Sequence, residues 1–347
     1  GQAQAGAVGF GRDALAWLGI NTDNTLWGKG IIVAVLDSGV NDHIALNGGT
    51  GSITNLELTV LPDGTVQLGH GTAVASIISG DHALTPGIAP ASDILSIRVT
   101  DAAGSSDSFT LAQGIIAAAD AGAHVINISM GSYGDSSFVR SAVEYAQGKG
   151  AVIVASSGNA GIDAIAYPAA YKGVIAVGAV EANGDHLDFS NSGESLDLVA
   201  PGYQVNAAWG DKQLTAFSGT SASAPFVSGA IAATMSLNPR MSAQQAADLV
   251  ISLANEGGYP GNDTAYGNGI LAMDRVLENG TPGIYDIAIA SQILVPPNDL
   301  TSLPQVWVTV QNQGTETLIN SPIRISGPSG TETSNISSLA PGQIKTF

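Results

Sequence analysis

The 347-residue chain contains no cysteine, which removes thiolate nucleophiles, disulfides and cysteine-ligated metals from consideration and leaves the redox compartment open. Basic residues are scarce: 11 Lys and Arg stand against 29 Asp and Glu, a net charge of −18. Such a balance repels phosphate backbones and anionic lipid, so neither nucleic acid nor a membrane is an expected partner. No stretch approaches the roughly 18 uninterrupted apolar residues of a membrane-spanning helix. The opening GQAQAGAVGF lacks the basic and apolar regions of a signal peptide, and the chain reads as a mature or trimmed form. What is plentiful points to a packed interior with many tight turns: 44% hydrophobic residues, 44 glycines and 15 prolines. Collagen is excluded because the glycines have no three-residue period.

Apolar runs at 31–36, 93–99, 124–128, 151–156 and 173–180 are near-continuous rather than alternating, which suits strands of a parallel sheet covered on both faces. Between them, 110–123 and 136–150 carry apolar residues at helical spacing, ending near Gly122 and Gly148. Alternating strand and helix predicts a doubly wound α/β domain over 1–278, with a mostly parallel sheet flanked by helices. Ser242 and Gln245 have capping-box spacing and open a further helix. Composition shifts at the linker 279–283, NGTPG, and residues 284–347 read as a small all-β domain. Turn signals there fall at 296–298, 313–314 and 328–330. The order VTVQNQGTETL then SLAPGQ resembles bacterial Ig-like accessory domains of the CARDB type. The piece is shorter than a sandwich of roughly 100 residues and reads as a truncated module.

Four polar residues sit where a sheet edge or helix start would present them. Asp37 ends the apolar run 31–36, at the carboxyl edge where α/β proteins gather functional groups. His70 opens a helical stretch between two glycines, and Ser221 precedes an apolar helix containing Pro225, placed here in its first turn where a missing N–H is harmless. Asn159 lies in a glycine-bracketed turn whose amide NH2 is a donor. Taken singly, each is more often structural: a turn-capping Asp, a core His, a helix-capping Ser, an Asn-Gly turn. His43, His82, His124 and His186 have no comparable setting and are assigned structural roles.

Jointly the segments tell more. VLDSGV at 35–40, GHGTAVA at 69–75 and SGTSASAPFVSG at 218–229 resemble the motifs of the subtilase family of serine endopeptidases, in the order Asp, His, Ser. GIAPASDILSIRV (87–99), VINISMGS (125–132), ASSGNAG (155–161), AYPAAY (166–171) and VAPG (199–202) extend the likeness over 30–275. The resemblance implies a subtilisin-like fold, with Ser221 as nucleophile, His70 as general base then acid, and Asp37 orienting the imidazole. Asn159 and the Ser221 N–H would form the oxyanion hole. It further implies that Gly104-Ser105-Ser106 and Ser129-Met130-Gly131 clamp substrate as an added strand. Ser129, Met130, Gly131, Ala155 and Ala166 would line an apolar pocket for the residue before the scissile bond.

The likeness is not complete. Ala222 follows the nucleophile where secreted subtilisins commonly carry Met, Phe226 stands where many have His, and 70–90 does not reproduce the loop of the family's tight calcium site. Ala169, Tyr171, Val174 and Asp197 resemble a weaker cation site, which leaves room for structural calcium; no metal residues are assigned, and catalysis needs no cofactor. The expectation is a secreted, monomeric, extracellular endopeptidase acting on proteins or peptides. The rivals are a non-catalytic subtilase-like scaffold and an adhesion protein; a lipase-type hydrolase lacks its G-x-S-x-G elbow.

Overall fold

A computed structural model describes residues 6–62, 68–297, 304–327 and 330–347. At its centre lies a seven-stranded sheet in the order Ile53–Glu57, Asp93–Arg98, Ile32–Asp37, Val125–Ile128, Val152–Ser156, Val174–Val180, Leu198–Pro201. Every neighbouring pair is parallel. From Ile32–Asp37 the chain runs to the edge strand Ile53–Glu57, fills the gap with Asp93–Arg98, and then crosses back to continue in the other direction from Val125–Ile128. The switch therefore falls between these two strands, and a crevice opens outside their carboxyl ends.

Both faces of the sheet are covered, which explains the unbroken apolar runs. Val33 and Val35 enter one core with the helices His70–Ser79, Thr220–Leu237 and Ala243–Ser252, while Ala34 and Leu36 enter the opposite core with Ser108–Asp120 and Ser137–Gly148. Each fully buried Leu, Ile or Val contributes about 1.5–3 kcal/mol. Ser242 and Gln245 form the capping box read from their spacing, each side chain bonding the other's backbone N–H.

From Ile287 onward the described strands are all antiparallel: a three-stranded sheet of Ile287–Val295, Gln305–Asn312 and Ile344–Thr346, and the ribbon Leu318–Gly327 with Gly330–Leu339. Their core is small, with Val310, Leu318, Ile336 and Leu339 buried. The turn expected at 313–314 joins two of these strands, with the Gly314 N–H donating to Asn312 Oδ1. Asn298, Pro328 and Ser329 of the other two turns lie outside the described residues. The β-segment meets the α/β layers through Gln311, whose amide accepts from the Glu256 N–H and donates to the Ala254 carbonyl. Among the described residues, no helix is long and apolar enough to cross a membrane.

Candidate active site

Asp37 is the last residue of its strand, at the switch point, and is 1% exposed. A buried carboxylate must be hydrogen-bonded. Ser38 N donates to its Oδ1 at 2.7 Å, and His70 Nδ1 lies 2.9 Å from Oδ1 and 2.8 Å from Oδ2. Glycine lets the two elements approach this closely, since a Cβ on Gly71 would stand 2.4 Å from the Gly39 carbonyl. His70 is the first residue of its helix, and Phe217 packs edge-on against its ring with centroids 5.2 Å apart. Burial disfavours the imidazolium, but the charge and hydrogen bond of Asp37 outweigh it and raise the His70 pKa above 6.5.

Ser221 is the second residue of the helix Thr220–Leu237, whose positive dipole end lies beside Ser129, just past the carboxyl end of the strand Val125–Ile128. Pro225 is the sixth residue of that helix, not part of its first turn, because the helix starts at Thr220 with Gly219 as cap. Its missing N–H therefore matters: it would have bonded the Ser221 carbonyl four residues back. The Ser129 hydroxyl fills that place, donating to Ser221 O at 3.2 Å, and Ser221 Oγ donates in return to the Ser129 carbonyl at 3.0 Å. Ser221 Oγ makes no hydrogen bond to His70, so the expected nucleophile and the expected base are not paired with each other here.

Asn159 is exposed, on the turn after the strand Val152–Ser156. Its Oδ1 accepts from Thr220 N at 2.8 Å and Thr220 Oγ1 at 3.0 Å. That fixes which end of the amide is which, and leaves Nδ2 as the free donor beside the helix start. Gly219 adopts φ 133°, a conformation that favours glycine, and a Cβ there would sit 3.5 Å from both polar atoms of Asn159.

Gly104, Ser105 and Ser106 face Met130 and Gly131 across one cavity that also reaches Tyr167 and Leu111. The structure thus brings the two expected substrate edges together. Ser129, Ala155 and Ala166 are buried and do not line that cavity, although Gly131 packs close to Ala166. The four remaining histidines bind backbone or rings: His43 accepts from Ala45 N, His124 from Ile32 N and His82 from Leu84 N, and His186 stacks near Tyr266.

Among the described residues no group of three or more His, Asp or Glu is placed to hold a metal. Within the set Ala169, Tyr171, Val174 and Asp197, the Tyr171 carbonyl accepts from Val174 N and the Asp197 carboxylate accepts from Ala176 N. Burial pushes the Asp197 carboxyl up from the ordinary value.

Reading from sequence alone missed Thr220, which orients the amide of Asn159, and the reciprocal Ser129–Ser221 pair. Thr220 adjoins Ser221 within SGTSASAPFVSG, so position offered a hint; the hydroxyl–carbonyl exchange left no sequence signal.

Residues 28–269 match the Subtilase family. Subtilisin Savinase of Lederbergia lenta is 36% identical over 250 residues, covering 71% of this chain and 90% of that relative. An alkaline protease of Shouchella clausii is likewise 36% identical over 71% of this chain, which spans 64% of that protein, just under two thirds of its length. Among solved structures, Sphericase superposes with a TM-score of 0.67 at 32% identity, covering 75% of this chain and 96% of that one. The protease domain of PatA, as its S218A mutant, gives 0.65 at 31% identity over 74% of this chain and 97% of that one.

Proposed function

Because the chain belongs to the subtilase family of serine proteases, we propose that it is an endopeptidase that cuts peptide bonds through an acyl-enzyme formed on Ser221. The reading is carried above all by the Asp37–His70 pair, closed on both carboxylate oxygens at the sheet's switch point. Asp37 holds the proton on Nδ1, so the lone pair of Nε2 is left to act as base. Ser221 Oγ leaves the Ser129 carbonyl by turning about its Cα–Cβ bond. A neutral hydrogen bond of that kind contributes about 0.5–1.5 kcal/mol net, so its release is a small part of the barrier.

His70 then takes the hydroxyl proton as Oγ adds to the scissile carbonyl. The resulting oxyanion receives hydrogen bonds from Asn159 Nδ2 and the Ser221 N–H, aimed by Thr220 and the helix start. As the intermediate collapses, the C–N bond breaks and the imidazolium gives its proton to the leaving amine. Water repeats the sequence on the ester, returning the proton to Ser221 and releasing the acid. Substrate lies as an extended strand between Gly104-Ser105-Ser106 and Ser129-Met130-Gly131, with an apolar side chain before the scissile bond. No cofactor enters. We assign this catalytic role to residues 1–278, secretion to the protein, and an Ig-like accessory role to 284–347.

Ser221→Ala tests the reading. The variant should fold with wild-type circular dichroism and lose turnover, and a fluorophosphonate should label the wild-type chain at Ser221 alone. Turnover by Ser221→Ala, or labelling elsewhere, would sink the assignment. Adding His70→Ala to Ser221→Ala should cost almost nothing further, because the groups act as a unit.

A further inference from the structure

Asn191 is fully buried, and no step of the reaction uses it. Its side chain nevertheless has five polar partners within hydrogen-bonding distance. Oδ1 accepts from Ala160 N at 2.9 Å and Ile162 N at 3.4 Å. Nδ2 faces the carbonyls of Ala164 at 2.9 Å and Ser157 at 3.2 Å, and the Tyr133 hydroxyl at 2.9 Å. Its backbone N–H donates to the Gly158 carbonyl at 3.1 Å. All these partners except Tyr133 belong to 157–164, an irregular loop with no helix or strand ladder to define its course. Asn159 rides on that loop.

We infer that Asn191 is a positioning residue that sets the loop carrying Asn159 and so holds the oxyanion donor in register with the Ser221 helix. This rests on the reading of Asn159 given above. Only an amide suits the place, because the loop presents N–H groups to one end and carbonyls to the other. Aspartate would face those carbonyls with a second acceptor, and leucine would put an apolar side chain in their midst and satisfy neither end. Gly158 is fitted to the same contact: a Cβ there would stand 2.3 Å from Asn191 Nδ2, and its φ of 113° favours glycine. Thr220 clamps the Asn159 side chain, and Asn191 holds the backbone on either side of Asn159, at the Gly158 carbonyl and the Ala160 N–H. Through Tyr133, the same amide ties the loop to the chain just beyond the substrate edge Ser129-Met130-Gly131.

A double-mutant cycle separates this role from a merely structural one. Asn159→Ala should lower kcat by about 10²–10³, the usual loss of one oxyanion donor. Asn191→Ser, checked for folding by circular dichroism, should lower kcat by roughly 10–10² with KM little changed, as expected of a donor displaced by about an ångström. In the Asn159→Ala background the same change should cost no more than roughly twofold, because there is no donor left to misplace. Tyr133→Phe removes one partner at an exposed site and keeps the test alive if Asn191→Ser does not fold. It should lower kcat about threefold in the wild type and not at all beside Asn159→Ala. Losses that multiply in the double variants, or a folded Asn191→Ser with wild-type kcat, would overturn the role of Asn191 and leave that of Asn159 standing. An unchanged kcat for Asn159→Ala would instead overturn the oxyanion reading, and this inference with it.

Discussion

At the scale of the residue, the Asp37–His70 pair makes a pH-dependent statement. A base must be neutral to accept a proton, and the pKa of His70 is raised above 6.5 because Asp37 outweighs the effect of burial. Activity should therefore fall as the pH drops through a midpoint above 6.5. Asp37→Asn removes both raising influences and leaves burial alone, so the acid limb of kcat/KM should move below 6.5. The rate should fall by about 10⁴, since an amide in that place can hold the wrong tautomer. An unmoved limb in the pH–rate profile would show that Asp37 does not govern His70. Much at this scale was legible in the chain: Asp37, His70 and Ser221 each sit in a motif that names a turn or a helix start. Asn191 was not legible, because one buried amide among loop residues leaves neither period nor spacing to read. The direction of the Ser221 hydroxyl was hidden as well, since it depends on a carbonyl 92 residues away in sequence.

At the scale of the element, the strands were the most legible features, because a strand covered on both faces must be apolar throughout. Their order was not, since apolar runs carry no record of which neighbour they pair with. The helix Thr220–Leu237 shows where spacing misleads. Pro225 suggests a helix start, yet the chain enters the helix five residues earlier, because Ser129 supplies the donor that proline removes. The helix Ala243–Ser252 is the opposite case, written plainly in its capping box. Ser242→Ala should lower stability by about 1 kcal/mol, read from the urea midpoint, with kcat unchanged because that helix reaches the site only through packing. A fall in kcat at full folding would show that it contributes directly.

At the scale of the whole molecule, the β-segment and the α/β layers share the loop 254–256. Burial raises the Glu256 carboxyl to about 7 against an ordinary 4.5, although the Gly261 N–H opposes the shift and Asp263 adds to it. Between those two values the folded chain holds a proton that the unfolded chain has released, so stability declines as the pH rises from 4.5 to about 7 and then levels. Glu256→Gln removes the charge but keeps an acceptor for Gly261, and should raise Tm at pH above 7 while changing little near pH 4. Equal effects at both pH values would show that the carboxyl does not set this dependence. The helix bearing Ser221 has a different bearing on stability. Every residue from Thr220 to Met235 is buried, so the amide protons beyond its first turn should exchange with deuterium only when the whole α/β body opens. The ribbon of Leu318–Gly327 and Gly330–Leu339, with much of its surface in solvent, can open locally long before that. If the proposed endopeptidase site works as described, it outlasts this ribbon, and on slow warming the protein should nick the ribbon, seen by mass spectrometry, while still at full activity.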